Sequence, residues 1–163
     1  MWPEPVERVA RELRAAAAEA TIEEFSESTG SAEAAAKAIG CSLAQIVKSI
    51  VFVCGGTAVV ALVPGDRRAD ADCVAEAVGA DSARVATRDE VVQVTGFEPG
   101  AVSPFPLRAV DEVLMERTLL QHPKVWVGAG SPAHMAGLAP AELQRVADAR
   151  TADLLGYSST TDR

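Results

Sequence analysis

The sequence predicts a mixed α+β fold: one domain with a central mixed, mostly antiparallel sheet flanked by helices. Three observations lead there. Two β-branched stretches, Ile46 to Cys54 and Thr57 to Val63, are joined by Gly55-Gly56, the signature of a tight hairpin. Helical patterns lie on both sides of that hairpin, the first an alanine-rich run with apolar residues at helical spacing. Nearly half of the residues are apolar yet only 4% are aromatic, so a core can form but must be built from Val, Ala, Leu and Ile.

Residues 1–19 form an N-terminal helical segment. Pro3 and Pro5 sit near its start, and Val6, Val9 and Leu13 give residues 4–19 a buried stripe. A short β-like stretch runs from Thr21 to Phe25, followed by a polar turn ending in Gly30. Ser31 is placed to cap a helix through Ile39, with Gly40 just past its end. The hairpin closes at Pro64-Gly65-Asp66. A helix over Ala69–Val78 ends at Gly79, and a short strand begins at Val85. Thr87 with Glu90 three residues on reads as a capping box for a helix to about Val94.

Gly96 to Pro106 is a loop, since Gly96, Pro99, Gly100, Pro104 and Pro106 fall within eleven residues. Strands are expected near Arg108–Leu114 and Lys124–Gly128, an edge strand over Ala133–Leu138, and a helix over Pro140–Ala149. The core spans residues 20–155 of a single domain over 1–163, and the polar tail 158–163 is expected to fray.

Several classes of protein are disfavoured. No stretch reaches the ~18 apolar residues of a membrane span, because Lys48, Ser49 and Gly55-Gly56 break the longest one. Glu4, Glu7 and Glu12 precede the alanine run, where a secretion signal would carry positive charge. Cys41, Cys54 and Cys73 form no CxxC pair, and their odd number argues against a disulfide framework. A cytoplasmic location is the expectation. His122 and His134 have no neighbouring Cys or His to complete a metal site. There is no phosphate-binding GxxxxGK[ST] loop, no HExxH and no GxSxG elbow. The net charge of −8 points away from a generic nucleic-acid binder, which would rest on Lys and Arg. Arg8, Arg11 and Arg14 along one helix, and the pair Arg67-Arg68, are either local RNA contacts or ordinary solvated charges.

Three segments could carry chemistry. Alternation along the first hairpin strand puts Ile46, Lys48, Ile50 and Phe52 on one face, and three of those four call for burial. Lys48 there is either a functional ammonium or a strand-end lysine with its tip in water. The loop Gly96–Pro106 either presents its amides to a ligand or is a tight connector. Gly128-Ala-Gly-Ser-Pro132 follows a strand and is either an open, amide-lined turn or merely a turn.

In order, Gln45-Ile-Val-Lys-Ser-Ile-Val-Phe52, Gly96-Phe-Glu-Pro-Gly-Ala-Val-Ser-Pro-Phe105 and Val125-Trp-Val-Gly-Ala-Gly-Ser131 resemble the YbaK/prolyl-tRNA-synthetase-associated editing domain. Leu138-Ala-Pro-Ala-Glu-Leu143 and Ala152-Asp-Leu154 fit that family's closing helix and strand. The resemblance implies a deacylase acting in trans on mischarged aminoacyl-tRNA, typically tRNA for proline carrying alanine, cysteine or another small residue. Its partners would be the aminoacylated acceptor end of tRNA and an aminoacyl-tRNA synthetase, with no metal and no organic cofactor. The lysine matching Lys48 would hold the substrate's 3′ end. The loop matching Gly96, Pro99, Gly100, Ser103 and Pro104 would line the pocket with amides, and Gly128, Gly130 and Ser131 would complete it. Departures from the family pattern at Ser103-Pro-Phe-Pro106 and at 128–135 leave the substrate open. They also leave His134 as either a pocket residue or a surface histidine. A non-catalytic tRNA- or synthetase-associated binding protein, or a hydrolase for another small acyl ester, are the alternatives.

Overall fold

The computed structural model describes residues 2–26 and 31–156. The polar turn ending in Gly30 and the tail from Ser158 lie outside the described residues.

Helix α1 (Glu4–Ala15) buries Val6, Val9, Ala10 and Leu13, the stripe that its spacing requires. It stops four residues short of the expected end because Ala17 takes φ 52°, and the Ala18 amide folds back to donate to the Leu13 carbonyl. That turn delivers the chain into strand β1 (Ala20–Glu24). Helix α2 (Ala32–Ile39) begins where the Ser31 hydroxyl accepts from the Ala34 amide and ends at left-handed Gly40. A single 3-10 turn over Leu43–Gln45 then leads into the hairpin of β2 (Val47–Cys54) and β3 (Thr57–Pro64).

Asp70 caps helix α3 (Ala71–Val78) by accepting from the amides of Asp72 and Cys73. Strand β4 is only Arg84–Val85, and helix α4 (Arg88–Thr95) carries the Thr87–Glu90 capping box. The Arg84 guanidinium and the Thr87 amide hold the Glu90 carboxyl down to about 2. Strand β5 (Glu112–Glu116) starts later than expected, after the Pro-rich loop has run its full course. Strands β6 (Val125–Ser131) and β7 (His134–Leu138) follow. Helix α5 (Pro140–Ala147) ends two residues early at Asp148, which adopts φ 52°. A short strand, β8 (Arg150–Ala152), ends at Ala152, where the closing strand implied by the resemblance begins; its three residues are too few to show a period.

The class is mixed α+β, as expected. The strands divide into an antiparallel sheet ordered β1-β7-β6 and a mixed sheet ordered β4-β2-β3-β5-β8. The expectation that residues 133–138 form an edge strand is corrected: β7 lies between β1 and β6. The partner that covers β7 is the strand expected over Thr21–Phe25, and periodicity within either segment says nothing of a pairing between segments so far apart in sequence.

One face of the mixed sheet (Val47, Val51, Val60, Leu62, Val113, Met115) packs with α1, the Phe97–Phe105 loop and β6 in the main core. The other (Phe52, Val59, Ala61, Val63, Leu114) packs with Val74 of α3 and with Leu154 and Leu155. A third cluster joins Ala35 of α2 to Ile46, Trp126 and Met135. Burial on both faces explains why β2 and β3 read as near-continuous apolar runs rather than as clean alternation. Leu62 is fully buried in the middle of β3. Leu62→Ala should therefore cost ~2–5 kcal/mol, read as a lower urea midpoint at unchanged m-value.

Candidate functional site

The site exists because β2 is paired unevenly. On one side β3 matches it from Val47 to Cys54. On the other, β4 reaches only Phe52 and Val53. At the strand's start a single parallel bridge, Ile46 to Trp126, ties the two sheets together. Between those contacts no strand among the described residues pairs with β2, and a cavity of about 290 Å³ opens along this edge.

Its walls come from distant parts of the chain. Ile46, Val47, Lys48, Ser49 and Ile50 form the β2 side, with Ser31 and Ala32 at the start of α2 above them. Gly100 and Val102 come from the Pro-rich loop, and Gly128, Ser131 and Met135 from the β6–β7 hairpin. Gly128 lets the loop approach closely: a Cβ there would sit 2.5 Å from the Val102 carbonyl oxygen. Any side chain at 128 would push the loop off the cavity wall.

Lys48 is half-buried in this wall. Its Nζ donates to the Arg67 carbonyl at 2.6 Å, on the turn that follows β3. Burial pushes its pKa below the ordinary lysine value, and the Arg68 guanidinium adds to the effect, while Glu33 and Asp66 oppose it. The cavity thus holds a cation whose charge is costly and whose neighbours only partly offset it.

Of the site residues expected from sequence, the fold brings Lys48, Gly100, Gly128 and Ser131 together around one cavity. Others lie elsewhere. Gly96 ends α4 in a left-handed conformation, and its carbonyl accepts from Arg8 Nη2. Pro99 does not line the cavity, and Pro104 borders a different hollow beside Val110 and Val146. Ser103 is fully buried, its hydroxyl donating to the Phe105 carbonyl. Gly130 (φ 103°) faces α1, where a Cβ would meet the Pro5 carbonyl at 2.8 Å. His134 is neither a pocket wall nor a surface residue. It is buried, with Nδ1 2.6 Å from Ser131 Oγ, Nε2 3.9 Å from a Glu24 carboxylate oxygen, and Trp2 packed edge-on. It thereby fixes Ser131.

The sequence reading missed Ser49, Met135 and the start of α2 as wall residues. Ser49 had a signal: a lone hydroxyl between Val47 and Val51 on a strand face that is otherwise apolar. Among the described residues no three of His, Cys, Asp and Glu converge on a metal-sized site, and no helix is long and apolar enough to cross a membrane.

Residues 26–146 match the family profile of the aminoacyl-tRNA editing domain. The chain belongs to that family. Similar proteins include YwhH of Bacillus subtilis (strain 168), an uncharacterized protein 35% identical over 123 residues, which are 75% of this chain and 78% of that one. The proline–tRNA ligase of Lactobacillus johnsonii is 33% identical over 85 residues, 52% of this chain. The matched part is only 15% of the ligase, so this editing domain resembles one segment of a much longer enzyme. A crystal structure of a protein described as a candidate trans-editing enzyme for prolyl-tRNA synthetase superposes with TM-score 0.89 at 33% identity. It covers 96% of this chain and all of that one. The hypothetical protein APE2540 superposes with TM-score 0.86 at 27% identity over 91% of the chain.

The lowered pKa of Lys48 has a consequence for stability. Below its folded pKa the buried ammonium penalises the native state, and the penalty fades as pH rises towards the unfolded value of ~10.4. Lys48→Met should therefore melt at a higher temperature than wild type at pH 7. The gap should narrow steadily as the pH is raised, measured by thermal denaturation across pH.

Proposed function

We propose that this editing domain is a trans-acting deacylase that hydrolyses the ester of mischarged aminoacyl-tRNA, with tRNA for proline carrying alanine or cysteine as the substrate. The observation that carries this reading is Lys48, a half-buried ammonium in the wall of a small cavity shared with Gly100 of the Pro-rich loop and Gly128 of β6.

The chemistry asks little of side chains. An aminoacyl ester is already activated, so positioning and carbonyl polarisation supply most of the acceleration. Water adds to the ester carbonyl, the acyl C–O bond breaks, and water's proton ends on the released ribose oxygen. Backbone amides near Gly100 of the loop and Gly128 of β6 are suited to stabilise the oxyanion that forms. Lys48 anchors the ribose–phosphate end through a charge-assisted hydrogen bond. Ile46, Val47, Ile50, Val102 and Met135 supply an apolar wall that accepts a small side chain. Such a wall discriminates weakly, at ~1–3 kcal/mol per methylene. The domain's likeness to part of a proline–tRNA ligase and to a candidate trans-editing enzyme supports the choice of tRNA for proline.

Arg68 fits the role of a phosphate contact. It is exposed, and it lies close enough for its charge to act on Lys48. Arg8 and Arg11 are less suited, because both pair with Glu4 and Arg8 is also stacked over Phe97.

The net charge of −8 favours a second reading, an accessory protein that binds tRNA or a synthetase without catalysis. A panel of mischarged tRNAs separates the two. Release of amino acid supports the deacylase; ester loss from none of them, with tight synthetase binding, selects the accessory. On alanyl-tRNA, Lys48→Ala should lower kcat/KM by ~10²-fold or more. Full activity in that variant would reject the assignment. Arg68→Ala should raise KM with kcat preserved and flatten the log–log salt dependence by ~0.7.

A further inference from the structure

Ser49 is the feature of the cavity that the mechanism above leaves unused. Its Oγ is buried and has no hydrogen-bond partner. A buried hydroxyl left unpaired destabilises a fold, so its retention in a cavity wall calls for an explanation. The main chain at Ser49 points the same way. In the β2–β3 ladder, successive residues turn their amide and carbonyl alternately towards the partner and away from it. The Val51 carbonyl accepts from the Ala86 amide on the β4 side, which fixes the outward set as Val53, Val51, Ser49 and Val47. The backbone of Ser49 therefore faces the edge that β4 does not reach, towards Gly128 and the cavity.

Among the described residues the lining contains no carboxylate. The other two described hydroxyls of the lining are engaged: Ser31 Oγ accepts from the Ala34 amide, and Ser131 Oγ is held by His134 and the Ala133 amide. An aminoacyl ester brings three polar features to such a site, namely the ribose–phosphate end, the ester carbonyl and the α-ammonium. Lys48 suits the first and the amides near Gly100 and Gly128 the second. Among the described side chains of the lining, the unengaged hydroxyl of Ser49 is left for the third.

Resting on the deacylase reading, we infer that the hydroxyl and main-chain carbonyl of Ser49 receive the α-ammonium of the substrate. The aminoacyl group then docks against the open edge of β2 as a single added strand residue would. The substrate class is thereby narrowed to esters with a free α-amino group. Ser49 is a specificity-determining residue that touches the substrate away from the reacting bond.

The test compares alanyl-tRNA with its deaminated analogue lactyl-tRNA, which carries a hydroxyl in place of the ammonium at nearly equal size. Rates are corrected for spontaneous hydrolysis of each ester. Wild type should prefer alanyl-tRNA. Ser49→Ala should lower kcat/KM for alanyl-tRNA by about 10- to 100-fold and leave lactyl-tRNA unchanged, so that the preference collapses. Ser49→Thr, which keeps the hydroxyl, should restore it. The melting temperature of Ser49→Ala should equal or exceed that of wild type, because an unpaired buried hydroxyl has been removed. An equal loss on both substrates, an undiminished preference in Ser49→Ala, or a melting temperature well below wild type would overturn the inference while leaving the deacylase reading intact. Hydrolysis of neither ester by wild type would overturn both.

Discussion

Strand β2 has a full-length partner on one side only, and the rest of the site follows from that. A strand in the middle of a sheet normally satisfies its polar backbone on both edges. Here β3 satisfies one edge completely, while β4 and the Ile46–Trp126 bridge take only the two ends of the other. The two sheets are pinned at that bridge and diverge beyond it. The opening between them is a consequence of sheet geometry rather than of any one side chain, which is why its walls are drawn from four separate segments.

That geometry also decides the electrostatics. Lys48 sits on a strand buried on both faces, so its stem packs among apolar neighbours and its ammonium must find a polar atom nearby. It finds the Arg67 carbonyl, one neutral acceptor for three donors. Arg68 adds like charge, and Glu33 and Asp66 offset it without contributing a hydrogen bond to Nζ. A cation held this way is poised for an anionic or strongly dipolar ligand. The acidity of the chain as a whole, −8, makes such local basicity the more conspicuous.

The remaining walls rest on close backbone approach. Gly128 admits the Val102 carbonyl, and Gly130 admits Pro5 at the start of α1. The β6–β7 hairpin is thus wedged between the Pro-rich loop on one side and the N-terminal helix on the other. His134, buried beneath it, holds Ser131 in place. Residues that do not touch the cavity thereby set the shape of the hairpin wall.

Much of the molecule was legible in the chain itself. The Gly55-Gly56 hairpin, the Ser31 and Thr87 caps and the glycine stops at 40 and 79 are local, and each was read where it stands. So were the prominence of Lys48, a lone cation in an apolar strand, and the glycines at 100 and 128. What the sequence could not determine was strand neighbourhood. The place of β7 in the middle of its sheet, the pairing of β8 with β5 and the incomplete pairing of β2 depend on contacts between residues far apart in sequence. The division of the glycine-proline loop was equally hidden. Gly100 reaches the cavity, whereas Gly96, Pro99, Ser103 and Pro104 do not, because the loop folds back into the core at Phe97 and Phe105. Periodicity and capping report on neighbours within a turn or two of chain. Which edge is left open, and what closes over it, is settled only when distant segments compete for the same buried space.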